Sequence, residues 1–231
     1  MTVLVVAAHP DDEVLGCGAT LSRLAREGHE VHIAILATGI TSRYARIEEA
    51  DPAELTRLQG HAQRAADLMG ARKLYLGRFP DNRMDSVPLL EVVQYVEGLV
   101  NEIKPEVIYT HHTGDMNIDH LVVSRAVMTA TRPMAGQPVK EIYAFEVGSS
   151  TEWAFQRFEP AFHANVFVEI GSQDLEIKIR AMACYESEAR AFPHPRSPEA
   201  IRIVAQRWGT VVGCMAAEPF DLIRSVRLRN R

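Results

Sequence analysis

Two short runs hold most of the residues able to do chemistry. The first is AHPDDE, residues 8–13. His9 and Asp12 stand three apart with Pro10 stiffening the turn between them, so an imidazole and a carboxylate leave the backbone within one turn. A catalytic zinc site takes three protein ligands and keeps a fourth position for water; this turn supplies two of the three. Asp11 lies between them and is placed to act as the base. Zinc brings the pKa of bound water to about 7, so a carboxylate suffices to take its proton near neutral pH. The plainer reading makes Asp11, Asp12 and Glu13 helix N-terminal acids that complement the dipole and cap free N–H groups. A third ligand decides between the two.

The second run, HHTGDMNIDH at residues 111–120, packs three histidines, two aspartates and an asparagine together. A lone histidine is more often structural than a ligand. A cluster in a chain that already offers His and Asp elsewhere is harder to dismiss. His120 is the expected third ligand, and Asp119 beside it is a group able to orient a neighbouring donor. His111 and His112 stay open between a direct and a structural role.

Elements of alternating type must position these runs. Residues 3–8 are a continuous apolar run of strand length, followed by a helical pattern over residues 13–27 that Gly28 stops. Residues 31–37 read as a second strand, 52–69 as a helix, and 73–76 as a short strand. A helix over 88–103 ends before Pro105; a strand at 107–110 and a helix at 119–130 follow. Residues 142–147 and 165–170 read as further strands, and 172–190 and 197–216 as two long helices, the first with Ser172 as its N-cap. The alternation predicts an α/β fold: a mainly parallel, Rossmann-like sheet flanked by helices on both faces, as a single domain over residues 1–231. Ligands in such folds collect at the carboxyl ends of strands. Both runs fall there, after Ala8 and after Thr110.

With AHPDDE, DMNIDH and the later GTVVGCMAAEPF on the page, the chain resembles the PIG-L/LmbE-like family of zinc-dependent N-deacetylases. The resemblance covers nearly the whole chain, and residues from Lys178 through Tyr185 to Glu218 and Phe220 resemble the family's C-terminal half. It implies that His9, Asp12 and His120 bind zinc and that Asp11 is the general base. It implies an N-acetylated sugar, free or nucleotide-linked, as the small-molecule substrate. Arg57 lies in a helix whose position resembles that of a family substrate-binding arginine, suited to a sugar hydroxyl or a phosphate. One departure matters. Many members carry HPDH where this chain has NIDH, so Asn117 replaces a histidine that helps polarise the amide or stabilise the oxyanion. Asn117 can donate a neutral hydrogen bond to an oxyanion, but it cannot protonate a leaving amine. His194, held between Pro193 and Pro195 in FPHPRS, is the expected replacement acid. Asp81, Asn82, Arg83 and Asp85 read as a polar rim that contacts substrate, and Trp153 and Trp208 as either core or contact residues.

Composition excludes several classes. A net charge of −5 leaves no basic footprint for nucleic acid. No stretch approaches the ~20 apolar residues that span a bilayer, and MTVLVV lacks the basic lead of a secretory signal, so the cytoplasm is expected. Three scattered cysteines without a CxxC suggest neither a disulfide framework nor a thiolate site; each reads as a small buried residue. Zinc is the expected cofactor, although a His2Asp site also accepts other divalent ions. The HPRS loop suits contact with a neighbouring subunit, so a homo-oligomer is an expectation. Two other classes compete. A nucleotide-binding oxidoreductase needs a third glycine where Leu21 follows Gly16 and Gly18, and needs the glycines earlier, at the turn. A non-catalytic metal-dependent sugar-binding protein has no use for Asp11.

Overall fold

The continuous apolar run after Met1 forms β1 (Thr2–Ala7), buried on both faces. The remaining strands are β2 (Glu30–Ala37), β3 (Lys73–Phe79), β4 (Val107–His111), β5 (Glu141–Phe145), β6 (Val166–Glu169) and β7 (Ala217–Ser225). The helices are α1 (Asp12–Arg26), α2 (Pro52–Leu68), α3 (Leu89–Ile103), α4 (Ile118–Ala130), α5 (Ser172–Cys184) and α6 (Pro198–Val212). This computed structural model describes residues 1–40, 44, 49 and 51–227. The strands form one sheet in the order β3-β2-β1-β4-β5-β7-β6. Alternate residues of each strand feed opposite faces. Val3, Val5, Ile33 and Ile35 pack beneath α1, α2, α5 and α6. Leu4, Val6, Ala34 and Leu36 pack beneath α3 and α4. With both faces covered, the central strands read as unbroken apolar runs rather than alternating ones.

The order places β1 between β2 and β4, so the connections leaving β1 and β4 diverge at their carboxyl ends. That divergence is the switch point where open α/β sheets bind ligands, and it lies between the two runs singled out above.

Helix α1 is buried along most of its length and breaks at Cys17, whose φ of −148° and ψ of 16° are not helical. Such a break frees backbone groups that must find partners when buried. Glu218 of β7 accepts from Ala19 N at 3.2 Å and from Thr20 N at 2.6 Å. Lys178 of α5 donates to Leu15 O at 2.8 Å and pairs with Glu218 at 2.6 Å. A buried ion pair therefore repairs the kink from the opposite end of the chain. Just before it, Gly16 has no side chain because a Cβ would lie 2.3 Å from the Phe145 ring. The glycine serves packing, not a phosphate.

The mainly parallel sheet is observed, with β1 to β5 joined by parallel pairs. Its far edge differs: β7, beyond the last expected helix and not expected as a strand, is inserted antiparallel between β5 and β6. The helix expected over 197–216 stops at Val212 because Gly213, at φ 80°, turns the chain left-handed. The helix expected over 172–190 ends at Cys184, and Gly171 rather than Ser172 occupies its N-cap position without a side-chain cap. Of the cysteines only Cys17 is buried; Cys184 and Cys214 are partly exposed. No described helix is long and apolar enough to cross a membrane.

Candidate active site

His9 leaves the end of β1, and Asp11 takes the N-cap position of α1 with φ 99°, in the left-handed region. A non-glycine residue there carries backbone strain on the order of 1–3 kcal/mol. Two bonds hold it. Asp11 N donates to Glu13 Oε2 at 3.1 Å, and Tyr185 OH donates to Glu13 Oε1 at 2.6 Å. Burial lifts the Glu13 pKa to about 7 although Tyr185 opposes the shift.

Across the switch point, α4 brings His120 against the first turn. His9 Nδ1 lies 3.2 Å from Asp12 Oδ2 and 3.3 Å from His120 Nε2, and His120 Nε2 lies 3.2 Å from Asp12 Oδ2. A tetrahedral zinc with arms of about 2.0–2.1 Å has ligand–ligand edges of about 3.3–3.4 Å. The three atoms thus form one face of such a tetrahedron, and this His9, Asp12, His120 group could hold a metal ion.

Each imidazole has a carboxylate on its far nitrogen. His9 Nε2 lies 3.0 Å from Asp119 Oδ2, whose other oxygen accepts from Met84 N at 2.8 Å. His120 Nδ1 lies 3.1 Å from Asp115 Oδ1, an ion-pair contact. Asp115 is fixed by the hydroxyls of Ser150 and Thr151 and by Asn117 N. Carboxylate–imidazole pairs of this kind set ring orientation and tautomer at metal sites.

The charges ask for a cation. Burial opposes a charge on His9, but hydrogen bonds to Asp119 and Asp12 outweigh it and raise its pKa to about 10. His120 is raised to about 9 against the same burial, by Asp12 and Asp115. Burial works against ionised Asp12 too, yet the His120 charge pulls its pKa well below the usual range. Protons on the imidazoles supply the positive charge that the surrounding carboxylates require, and a divalent ion meets the same demand.

His111 and His112 lie outside the His9, Asp12, His120 group. His111 Nε2 accepts from Ala8 N at 2.8 Å, tying β4 to β1, and its ring stacks on His120 at 3.9 Å between centroids. His112 Nε2 lies 2.8 Å from Pro160 O.

A cavity of about 240 Å³ opens over His9, Asp11, Asp12 and His120, walled by Asp81, Asn82, Asn117, Ser149, Glu188 and Arg196. Asn117 caps α4 through Oδ1 and donates through Nδ2 to Asn82 Oδ1 at 2.7 Å. Of the expected rim, Asp81 and Asn82 reach the cavity; Arg83 instead contacts Tyr44 O. His194 is not among the lining residues: its Nδ1 accepts from Arg196 N at 3.1 Å and its ring meets Trp153 edge-on. Trp208 Nε1 donates to Glu146 at 2.6 Å, away from the cavity. Arg57 faces an adjoining recess with His61, Glu186 and Ser187, and pairs with Glu54 at 3.5 Å. The two spaces share Ile40 and Leu58. Asp115, Tyr185 and Arg196 were not foreseen as parts of the site. Asp115 alone carried a local signal, through its place in the histidine-rich run.

The profile described as PIG-L: GlcNAc-PI de-N-acetylase matches residues 4–131, which contain the whole His9, Asp12, His120 group. An uncharacterized deacetylase of Escherichia coli K12 is 27% identical over 190 residues, covering 80% of this chain and 90% of that protein. A 1D-myo-inositol 2-acetamido-2-deoxy-alpha-D-glucopyranoside deacetylase of Mycolicibacterium vanbaalenii is 26% identical over 198 residues, covering 76% and 69%. Among solved structures, the N,N'-diacetylchitobiose deacetylase of Pyrococcus horikoshii superposes with a TM-score of 0.74 at 18% identity, covering 96% and 84%; that likeness shows the fold. With more than half its length matched, and the site's donor atoms inside the match, this chain belongs to the PIG-L family of N-deacetylases.

Proposed function

We propose that the cavity removes the acetyl group from a small N-acetylated amino sugar, releasing acetate and a free amine, with zinc held by His9, Asp12 and His120. The observation that carries this reading is the triangle of donor atoms at tetrahedral spacing, with the Asp11 carboxylate in the same cavity wall. Bound there, zinc would polarise the acetyl carbonyl and acidify a water. Asp11 serves as the base that takes the water's proton. Asn117 faces the cavity as a neutral donor for the developing oxyanion. Asp119 and Asp115 keep the two imidazoles aimed. The amine then leaves with a proton returned by Asp11, which lines the cavity; His194, two residues from Arg196, is the alternative acid.

The cavity wall is rich in hydroxyl, amide and carboxylate groups, and its one guanidinium is already paired with Glu188, which suits an uncharged sugar ring. The recess at Arg57 would receive a remote part of the substrate, such as the phosphate of a nucleotide-linked sugar. The deciding experiment is acetate release from a panel of N-acetylated sugars, free and nucleotide-linked, with zinc added and with a chelator. Chelator-sensitive release from at least one sugar is expected. Sugar binding without release across the panel would favour the non-catalytic binding protein.

A further inference from the structure

The loop between α5 and α6 carries an arginine that reaches the Asp11 side chain. Arg196 Nη1 lies 3.1 Å from Asp11 Oδ2, with the Asp11 side chain 2% exposed and that of Arg196 23% exposed. Among the described residues it is the one cation within ion-pair reach of Asp11, and this ion-pair contact falls on Asp11 Oδ2, an atom with no hydrogen-bond partner there. The carboxylate neighbours of Asp11 are Asp12, Glu13 and Glu188, all of which repel it.

Arg196 does not reach Asp11 by chance of a loose side chain. Its Nε donates to Ser149 Oγ at 2.9 Å, its Nη1 to Glu188 Oε2 at 3.0 Å, and its backbone N to His194 Nδ1 at 3.1 Å. These anchors come from three separate places in the loops after β5 and α5. A planar guanidinium clamped at two edges has one orientation left. Ser197, the next residue, caps α6 through Ala200 N, so the backbone behind Arg196 is fixed as well.

We propose that Arg196 is a positioning residue for the base: clamped by Glu188 and Ser149, it holds Oδ2 of Asp11 and leaves Oδ1 to receive the proton. A buried carboxylate with no charged partner to hold it is free to turn away from the reacting atoms. The role explains why a strained left-handed residue can aim its side chain reproducibly: Glu13 fixes its backbone and Arg196 its carboxylate. It also accounts for the HPRS sequence by a contact inside the chain. The kinetic part rests on the deacetylase reading; the geometric part does not.

The test uses the metal-loaded full chain as wild type, Arg196→Met, Arg196→Ala and Arg196→Lys, with metal content and melting temperature measured first. On a sugar that the wild type cleaves, Arg196→Met should keep its metal and its KM within about twofold while kcat falls on the order of 10²-fold, the cost of a misplaced catalytic group. Methylguanidinium added to Arg196→Ala should restore part of kcat, and Arg196→Lys should fall between. A crystal structure of Arg196→Met should show the Asp11 carboxylate turned from its wild-type direction. Unchanged kcat in Arg196→Met, or Asp11 unmoved in its structure, overturns the proposal. A wild type that cleaves no sugar defeats the deacetylase reading instead, and the direction of Asp11 in the variant still decides this one. If Arg196→Met does not fold, Glu188→Gln loosens the same clamp and should lower kcat several-fold with metal retained; no loss there overturns the proposal equally.

Discussion

The middle of the sheet and its antiparallel side contribute to the site in different ways. The half built from β1, β4, α1 and α4 supplies every atom of the metal triangle, from residues 9, 12 and 120 beside the strand ends. The half built from β5 to β7, α5 and α6 supplies no atom of that triangle. It supplies posture: Ser150 and Thr151 on Asp115, Tyr185 on Glu13, Lys178 and Glu218 on the α1 kink, and Arg196 on Asp11. Ligands must lie within about 2 Å of one ion, so turns at neighbouring strand ends provide them economically. Groups that orient those ligands need only touch them, and they arrive from sequence separations of 35 to 199 residues. The donors and the carboxylates beside them sit in two short runs, whereas the groups that brace those runs come from distant stretches of this chain.

Mutations in the first half should break chemistry outright. His120→Ala or Asp12→Asn is expected to lose both metal and activity, whereas Asp11→Asn keeps its metal and loses on the order of 10²-fold or more in turnover. Elemental analysis beside acetate release tests this; if the two aspartate variants behave alike, the division of labour between them is wrong.

Mutations in the second half should act on stability or aim. Lys178→Met leaves Glu218 buried beside a broken helix without its cation, a loss expected at about 3–5 kcal/mol. Urea unfolding of the metal-free protein measures it, and a change under about 1 kcal/mol would mean the kink relaxes unaided. Asp115→Asn removes the charge behind His120 and should weaken metal binding about 10–100-fold without unfolding the protein. A competition titration with a chromophoric chelator reads that shift, and an unchanged affinity would detach the β5 loop from the metal site.

The last effect is one of pH. In the metal-free protein, His9 and His120 are raised from 6.5 to about 10 and about 9. A histidine raised on folding adds stability that is complete below its unfolded pKa and is lost as pH rises through the folded one. Metal-free stability should therefore decline between about pH 6.5 and pH 10. The zinc-loaded protein, whose imidazoles are deprotonated ligands, should lack that part of the decline, and zinc binding near pH 7 should release about two protons. Parallel stability curves for the two forms would show that the imidazoles are not the groups concerned.

How much of this could be read without coordinates follows the same division. The first four strands and four helices were legible because period and stop signals are local: continuous apolar runs under two covered faces, with Gly28 and Pro105 ending their helices. The candidate metal group was legible because its residues fall in two short runs of chemically apt side chains. β7 was not. Its AEPFDLIRS is interrupted by acids and a proline, and its place between β5 and β6 depends on pairing with strands dozens of residues away. The end of α5 at Cys184 was also hidden, since Tyr185 leaves the helical path in a position where its hydroxyl meets Glu13, 172 residues earlier.

Sequence alone therefore determined the layered α/β class and marked the two runs that carry the candidate donors, since periodicity, stop signals and the spacing within each run are local. The tertiary structure alone decided that His111 accepts from Ala8 N, that Gly16 makes room for Phe145, and that Arg196 rather than His194 lines the cavity. Those outcomes depend on which surfaces meet when distant segments pack, and no local period in the chain records that.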